Sequence, residues 1–500
     1  MNTKFAATLT LACLALNAHA ADLVEVYQQA LSSDPTYQQA ISQELSTKEG
    51  VPISLASLLP NIAASFNPSV TRTAYAGVNV AFLNTPRNNT SKNYDLALSL
   101  NQTVFNYAQF ANLSNALSTS KGAEATLNAA LQSLMTRVAT AYFNVLKDED
   151  NLSYSEASKM AYAEQLDQVK QQYDVGLKTI TDVYTAQASY DSALANFIAS
   201  QTTLNNDREN LRVITGTYYN QLASLKEDFP LVTPKPQDIE AWVKTAQQQN
   251  WQVRSAAYAV DANRATIHQQ FGGNLPTATL QGTLDRQYDM NINGYRNLDQ
   301  RNGPSTQTDR TVMLTFNMPI VEGGGTVAQT KQAVYNYEAS QQQFELTLRN
   351  TINTTRQSYL GIIAGISQID ADRQAIKSSI SSLQGMEESY KVGTETLVDV
   401  LNQQQKVFQA QTQYATDRYA FVNNVLALKQ AAGTLSFDDL RAINAWLYDK
   451  TPTDVAAVER NLFKHNHIQP KKVSGKNKQK NKQLTHQTKK HPTHIAHQKA

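Results

Sequence analysis

Two short stretches of this 500-residue chain bring together residue types that can do chemistry. "VGLKTITDV", Val175 to Val183, and "VGTETLVDV", Val392 to Val400, each set a glycine ahead of Thr-x-x-Asp: Gly176 before Thr179 and Asp182, and Gly393 before Thr396 and Asp399. A threonine three residues before an aspartate can cap a helix start, each side chain taking the other residue's backbone N–H. A glycine just ahead suits the left-handed end of a preceding helix. Spacing alone therefore favours two tight helix hairpins. The copies differ in charge, Lys178 in the first and Glu395 in the second.

Little else has the makings of a reactive centre. His268 is the only histidine between residues 21 and 459, the one cysteine, Cys13, lies in the first twenty residues, and no acid pair stands in a recognisable catalytic context. Nothing supplies a nucleophile with its base or a metal cage, so neither an enzyme nor a cofactor is expected. "EGGGT", Glu322 to Thr326, lacks the Lys-Ser/Thr of a phosphate loop and has no expected nucleotide role.

The ends of the chain differ from its body. Residues 1–20 carry Lys4, an apolar run and Ala18-His19-Ala20, the order of a secretory signal, which sets the expected mature start near Ala21. Of 44 lysines and arginines, Lys4 and the eleven beyond Glu459 leave 32 against all 42 acids in the body. Residues 449–500 read as a basic disordered extension with too few apolar residues to offset its ordering entropy. Its His486, His491, His494 and His497 could bind a metal loosely and its lysines could touch an anionic polymer, against the plainer reading of a solvated tail.

The elements that must position the two hairpins come from a duplication. Asp22-Leu23 pairs with Asp238-Ile239 and Pro60 with Pro276 at an offset of 216, and Tyr142 with Tyr359, Gly176 with Gly393 and Gly216-Thr217 with Gly433-Thr434 at 217. The body is two copies of one unit, residues 21–230 and 231–448. In each copy a seam steps by four and three, Tyr190, Leu194, Phe197, Gln201, Leu204, Arg208 and Leu211, then Val407, Gln411, Tyr414, Arg418, Phe421, Val425 and Leu428. The segments before the turns, about Phe110 to Asp174 and Thr326 to Lys391, hold no proline and predict helices of roughly 100 Å.

Four other stretches alternate with period two, about residues 60–75, 94–106, 276–289 and 310–321. One face is apolar (Ile62, Phe66, Leu96, Leu98, Leu100, Val312, Leu314) and the other small and polar (Asn61, Ser65, Ser99, Asn101, Thr311). Alternation suits a membrane barrel with a wet lumen and a half-exposed soluble sheet equally well. Closure separates them. Four strands cannot enclose a channel, and an open edge in lipid leaves backbone groups unsatisfied, so a spanning barrel must be shared between chains. Two copies give eight strands and a filled interior, whereas three give twelve and a bore. External loops are expected at Tyr75–Asn93 and Met290–Asp309.

The order of "LVEVYQQAL", "LLPNI", "ATAYFNVL", "QLDQ", "VGLKTITDV", "ITGTYY", "LPTATL", "PIVEGGG", "VGTETLVDVL" and "AAGTL" resembles the TolC family of outer-membrane factors from Ala21 to about Ala445. The resemblance implies a mixed α + β homotrimer, a twelve-stranded transmembrane β-barrel continued by a periplasmic coiled-coil tunnel of twelve helices. It also implies a passive outer-membrane exit duct for drugs or unfolded proteins. Its implied partners are a periplasmic adaptor, an inner-membrane RND, ABC or MFS-type transporter and outer-membrane lipid, with no nucleic acid.

The same resemblance assigns the hairpins. Asp399 would line the tightest constriction as an anionic ring, with Asn402 where well-known members carry a second aspartate. Asp182, with neighbouring Thr181, and Tyr390 match residues that hold the entrance shut. Glu395 replaces the family's latch arginine, so a Lys178–Glu395 ion pair is the expected substitute. Gly176, Leu177, Gly393 and Thr394 match the tips used for adaptor docking. The rival readings are a trimeric coiled-coil adhesin, whose barrel normally ends the chain, and an envelope enzyme; here strand pairs are interleaved with helices and no catalytic set exists.

Overall fold

The structure, a computed structural model, describes residues 20–74, 88–291 and 305–448. The expected signal through residue 19, the basic extension and the middles of both external loops lie outside those residues. In chain order, α1 (Leu23–Ser33), α2 (Pro35–Lys48) and α3 (Gly50–Ala56) lead to strands β1 (Asn61–Ala74) and β2 (Asn88–Phe105). The hairpin α4 (Tyr107–Asp174) and α5 (Ile180–Thr215) follows, then β3 (Ser224–Leu225). The second copy runs α6 (Ile239–Gln249), α7 (Trp251–Phe271), β4 (Thr277–Asn291), β5 (Ser305–Asn317), α8 (Gly325–Lys391) and α9 (Leu397–Ala431), and closes with α10 (Phe437–Asn444) and β6 (Leu447–Tyr448).

The long helices α4 and α8 hold 68 and 67 residues, about 100 Å each. Without a proline they have no internal stop. Asn106 starts α4 by accepting the Gln109 N–H at 3.3 Å. Shorter helices flank α4 along its length: Asn112 reaches Ser54 of α3, Asn115 reaches Ala262 and Thr266 of α7, and Arg208 of α5 pairs with Glu149 at 3.0 Å.

The four long strands form one antiparallel sheet in the order β1-β2-β4-β5, so β1 and β5 are its edges. Its register puts Ile62 opposite Leu100, Phe66 opposite Leu96, Leu98 opposite Leu284 and Leu280 opposite Leu314. Along β2, Tyr94, Leu96 and Leu98 are exposed, while Asp95, Ala97 and Ser99 are partly covered, so the polar face is the concave one. An exposed apolar face over a sheltered polar one is the pattern of a lipid-facing wall with a wet lumen.

Three strands run further than alternation marks, β4 by only two residues, to Asn291. β2 begins at Asn88 rather than near 94 and β5 at Ser305 rather than near 310, so residues 88–93, 290–291 and 305–309 pair as strand instead of forming loop. Those ends, "NNTSKN" and "STQTD", are almost entirely polar on both faces, and ladder hydrogen bonds continue without an apolar signature. β5 also stops at Asn317, short of 321, where Pro319 offers no N–H for a ladder.

A belt around the middle of the hairpins holds the main core. Tyr142 and Phe143 of α4 and Phe421 of α9 are fully buried. The Tyr142 hydroxyl donates to the Ala21 and Ala223 carbonyls at 3.1 and 2.6 Å. Two residues assigned to the seam bend into this belt instead of only packing along it. Arg418 is buried and donates to the Leu225 and Lys226 carbonyls at 2.7 and 3.2 Å, and Arg208 donates to the Asn220 carbonyl at 3.2 Å. Arg137 grips Asp34, only 2% exposed, through both terminal guanidinium nitrogens.

The duplicated glycines after α5 and α9 meet different surroundings. Gly216 (φ +70°) has only the Ser33 Cβ at 3.7 Å, whereas a Cβ at Gly433 (φ +75°) would strike the backbone of Gln249 and Asn250, with the Asn250 nitrogen at 2.7 Å. Gly216→Ala is expected to cost about 1 kcal/mol, the usual charge for a left-handed non-glycine residue. Gly433→Ala should lower the melting temperature of the extracted protein by clearly more; equal shifts would refute the close approach.

Candidate functional site: the paired hairpin ends

Each hairpin end is built by the same local chemistry. The Leu177 N–H reaches back to the Gln172 carbonyl at 2.8 Å, and the Thr394 N–H to Ser389 at 3.0 Å, the six-to-one bonds that close a helix around a left-handed glycine. Gly176 and Gly393 take φ of +78° and +83°. The returning helices start with complete capping boxes. Asp182 N–H donates to the Thr179 hydroxyl at 3.2 Å, while the Thr179 N–H and hydroxyl donate to Asp182 Oδ2 at 2.9 and 2.8 Å. Asp399 and Thr396 repeat the arrangement, with backbone bonds of 3.3 and 3.2 Å.

These donors set the charge of both aspartates. The Thr179 backbone N–H first, then its hydroxyl, hold Asp182 below the usual 3.8, with Lys178 adding to the effect. For Asp399 the Thr396 hydroxyl comes first and its N–H second. A depressed carboxylate stabilises its cap above the unfolded value of 3.8 and loses that contribution as pH falls through the lower folded one.

The two ends also touch each other. Tyr390, at the end of α8, packs with Leu397, Leu401, Tyr162, Leu166, Val169 and Ala186 in a small apolar cluster shared by both hairpins. Tyr162 donates to the Leu401 carbonyl at 3.1 Å, and Gln403 to the Ser379 carbonyl at 3.2 Å. Tyr162 carried no signal in the sequence, because it is one of five tyrosines in α4 and its spacing from the others does not set it apart.

Of the expected latch residues, the structure brings together Lys178 and Tyr390, with the ammonium 4.3 Å from the ring centroid. Within one chain no ion pair joins Lys178 to Glu395. The lysine rests on the aromatic face of Tyr390 instead of reaching Glu395. Asp182 and Thr181 stay with their own hairpin: Asp182 is spent on the cap, and Thr181 is exposed, its carbonyl accepting from Thr185 at 2.9 Å. Asp399 is half-exposed, and Asn402, less than one turn on, is exposed. Leu177 at 74%, with Gly176, Gly393 and Thr394, forms the bare ends.

A four-stranded third of a barrel wall, with an apolar outer face and two free edges and continuous with helix hairpins of about 100 Å, defines a trimeric β-barrel channel with a helical tunnel. Two segments, residues 26–217 and 242–434, match the family described as outer membrane efflux protein, and the chain belongs to that family. It is 36% identical to outer membrane protein TolC of Escherichia coli strain K12, over 85% of each chain. It is 26% identical to alkaline protease secretion protein AprF of Pseudomonas aeruginosa, over 86% of this chain and 88% of that one. The solved structure of CusC, a transmembrane channel, superposes with a TM-score of 0.70 at 17% identity, over 82% of this chain and 92% of that one. The chain is an exit duct of the outer membrane with a periplasmic tunnel, and it works as a trimer with an adaptor and an inner-membrane pump.

Thr179→Ala and Thr396→Ala should each speed amide hydrogen exchange in the first turn of the returning helix at pH 7. In the unaltered protein the same loss should appear only on acidification below 3.8. Unchanged protection in both variants would show that the boxes do not hold the ends.

Proposed function

We propose that the paired hairpin ends are the gate of this duct, and that the contact of Lys178 with Tyr390 carries the closed state. Among the described residues that contact is the one ion-pair or cation–π link between the two hairpins at their ends, and a cation over an aromatic ring contributes on the order of 0.5–1 kcal/mol at an exposed site. The figure suits a gate that docking must open. The bare tips, Leu177 and Thr394 with Gly176 and Gly393, are the docking points for the adaptor, six around the trimer.

Asp399 forms a ring of three carboxylates at the entrance, with Asn402 leaving the ring at half the charge of a two-aspartate version. Such a ring attracts cations. Its threonine donors oppose the mutual repulsion of three like charges. The cargo is small toxic molecules, including drugs, delivered by RND or MFS-type pumps, or unfolded protein delivered by an ABC transporter. Likeness to both TolC and a protease secretion protein supports a duct open to either supply.

Single-channel recording in planar bilayers tests the gate. Lys178→Glu and Tyr390→Leu should each raise conductance, and their double variant should add little beyond either. Full additivity, or unchanged conductance in both, would overturn the latch. Asp399→Asn should reduce cation preference at pH 7, with the unaltered channel matching it only on acidification below 3.8; equal selectivity at pH 7 would remove Asp399 from the constriction.

A further inference from the structure

The outer face of the sheet carries more than an apolar band. Among its described residues the four long strands hold four cations, Arg72, Lys92, Arg286 and Arg310, one per strand, and four carboxylates, Asp95, Asp285, Asp289 and Asp309. Successive residues of a strand face opposite sides. The register puts every cation on the apolar outer face, with Lys92 opposite Val70 and Met290, Arg286 opposite Leu96 and Arg310 opposite Leu284. Every aspartate falls on the concave face, with Asp285 between Ala97 and Asp309. The charges are therefore sorted completely by face.

They are sorted by height as well. Each cation stands within five residues of the loop end of its strand, Ala74, Asn88, Asn291 or Ser305, or about 17 Å at the strand rise. Tyr94 and Tyr288 lie across from each other between the Lys92 and Arg286 rows, their rings 6.1 Å apart. Leu98 shares a row with Arg310 through Leu284, and beyond that row Val312, Leu314 and Phe316 continue the apolar wall toward the helices. Arg72, Arg286 and Arg310 are exposed and Lys92 half-exposed, and none of the four has an ion-pair partner among the described residues.

An outward cation is costly at the middle of a bilayer and nearly neutral at its edge, and aromatic girdles mark that edge. The stripe thus belongs at headgroup level. Water would accept either sign there; four bases with no acid fit an anionic surface. We propose that Arg72, Lys92, Arg286 and Arg310 form a docking belt for the phosphates of anionic outer-leaflet lipid, twelve cations around the closed barrel. The three arginines offer planar forks that suit phosphate oxygens, and the lysine adds a point charge.

Native mass spectrometry of the purified trimer, mixed with diphosphoryl lipid A or with phosphatidylcholine, tests the belt. The unaltered protein should retain several lipid A molecules and no comparable phosphatidylcholine. Arg286→Gln and Arg310→Gln should each weaken retention up to about fivefold, the factor for one cation at an anionic surface, and the set with Arg72→Gln and Lys92→Gln should abolish it. Arg212→Gln, on an exposed face of α5, should change nothing. Should the fourfold variant not assemble, the four single variants decide. Equal retention in all of them, or equal retention of lipid A stripped of its phosphates, overturns the proposal. Channel conductance should be unaffected throughout, so a negative result here leaves the gate untouched.

Discussion

The backbone of β1 and β5 is the constraint on which the architecture turns. Each is an edge whose N–H and C=O groups have no partner on one side, and in hydrocarbon such groups cost several kcal/mol apiece. Half-buried side chains cannot relieve this; only another strand can. The chain therefore has no stable membrane form alone, and closure by three copies follows from backbone satisfaction together with the need for a bore. The small residues of the concave face, Ala97, Ser99 and Thr283 among them, leave that bore open.

From the wall downward, the structure converts strand into helix at proline and glycine positions. Asn317 ends β5, Pro319 and Gly323 to Gly325 redirect the chain, and α8 then runs unbroken for 67 residues. The long helices are weakly amphipathic, with small polar residues on much of their surface, so their alignment depends on the belt. There Tyr142, Phe143, Phe421 and the carbonyl-bound Arg418 fasten both hairpins to short strands β3 and β6. Burying this guanidinium is tolerable because one terminal nitrogen donates to two carbonyls and the other stands 3.9 Å from Asp150, in a place where an unpaired charge would be costly.

The two halves, once identical in plan, have parted where they meet different neighbours. Gly216 and Gly433 share a backbone conformation but not the space around it, and Lys178 and Glu395 occupy equivalent turns with unlike surroundings. A single chain can thus present two kinds of hairpin to its copies.

The amino-acid order by itself determined the elements: the caps and glycines of the turns, the helix lengths, the four strands and their apolar face. Each is governed by local stereochemistry or by a period of two or 3.6, which a linear pattern records. It also determined the family through matches spread over both halves. The polar strand ends at 88–93 and 305–309 escaped it because ladder bonds need no side-chain signature. Only the tertiary structure decided which residues meet across the duplication. Lys178 reaches the Tyr390 ring and not Glu395, Arg418 leaves the seam for the belt, and the bases and acids of the barrel separate onto opposite faces. Those outcomes depend on how helices lie side by side and on strand register, quantities set by packing among residues far apart in the chain.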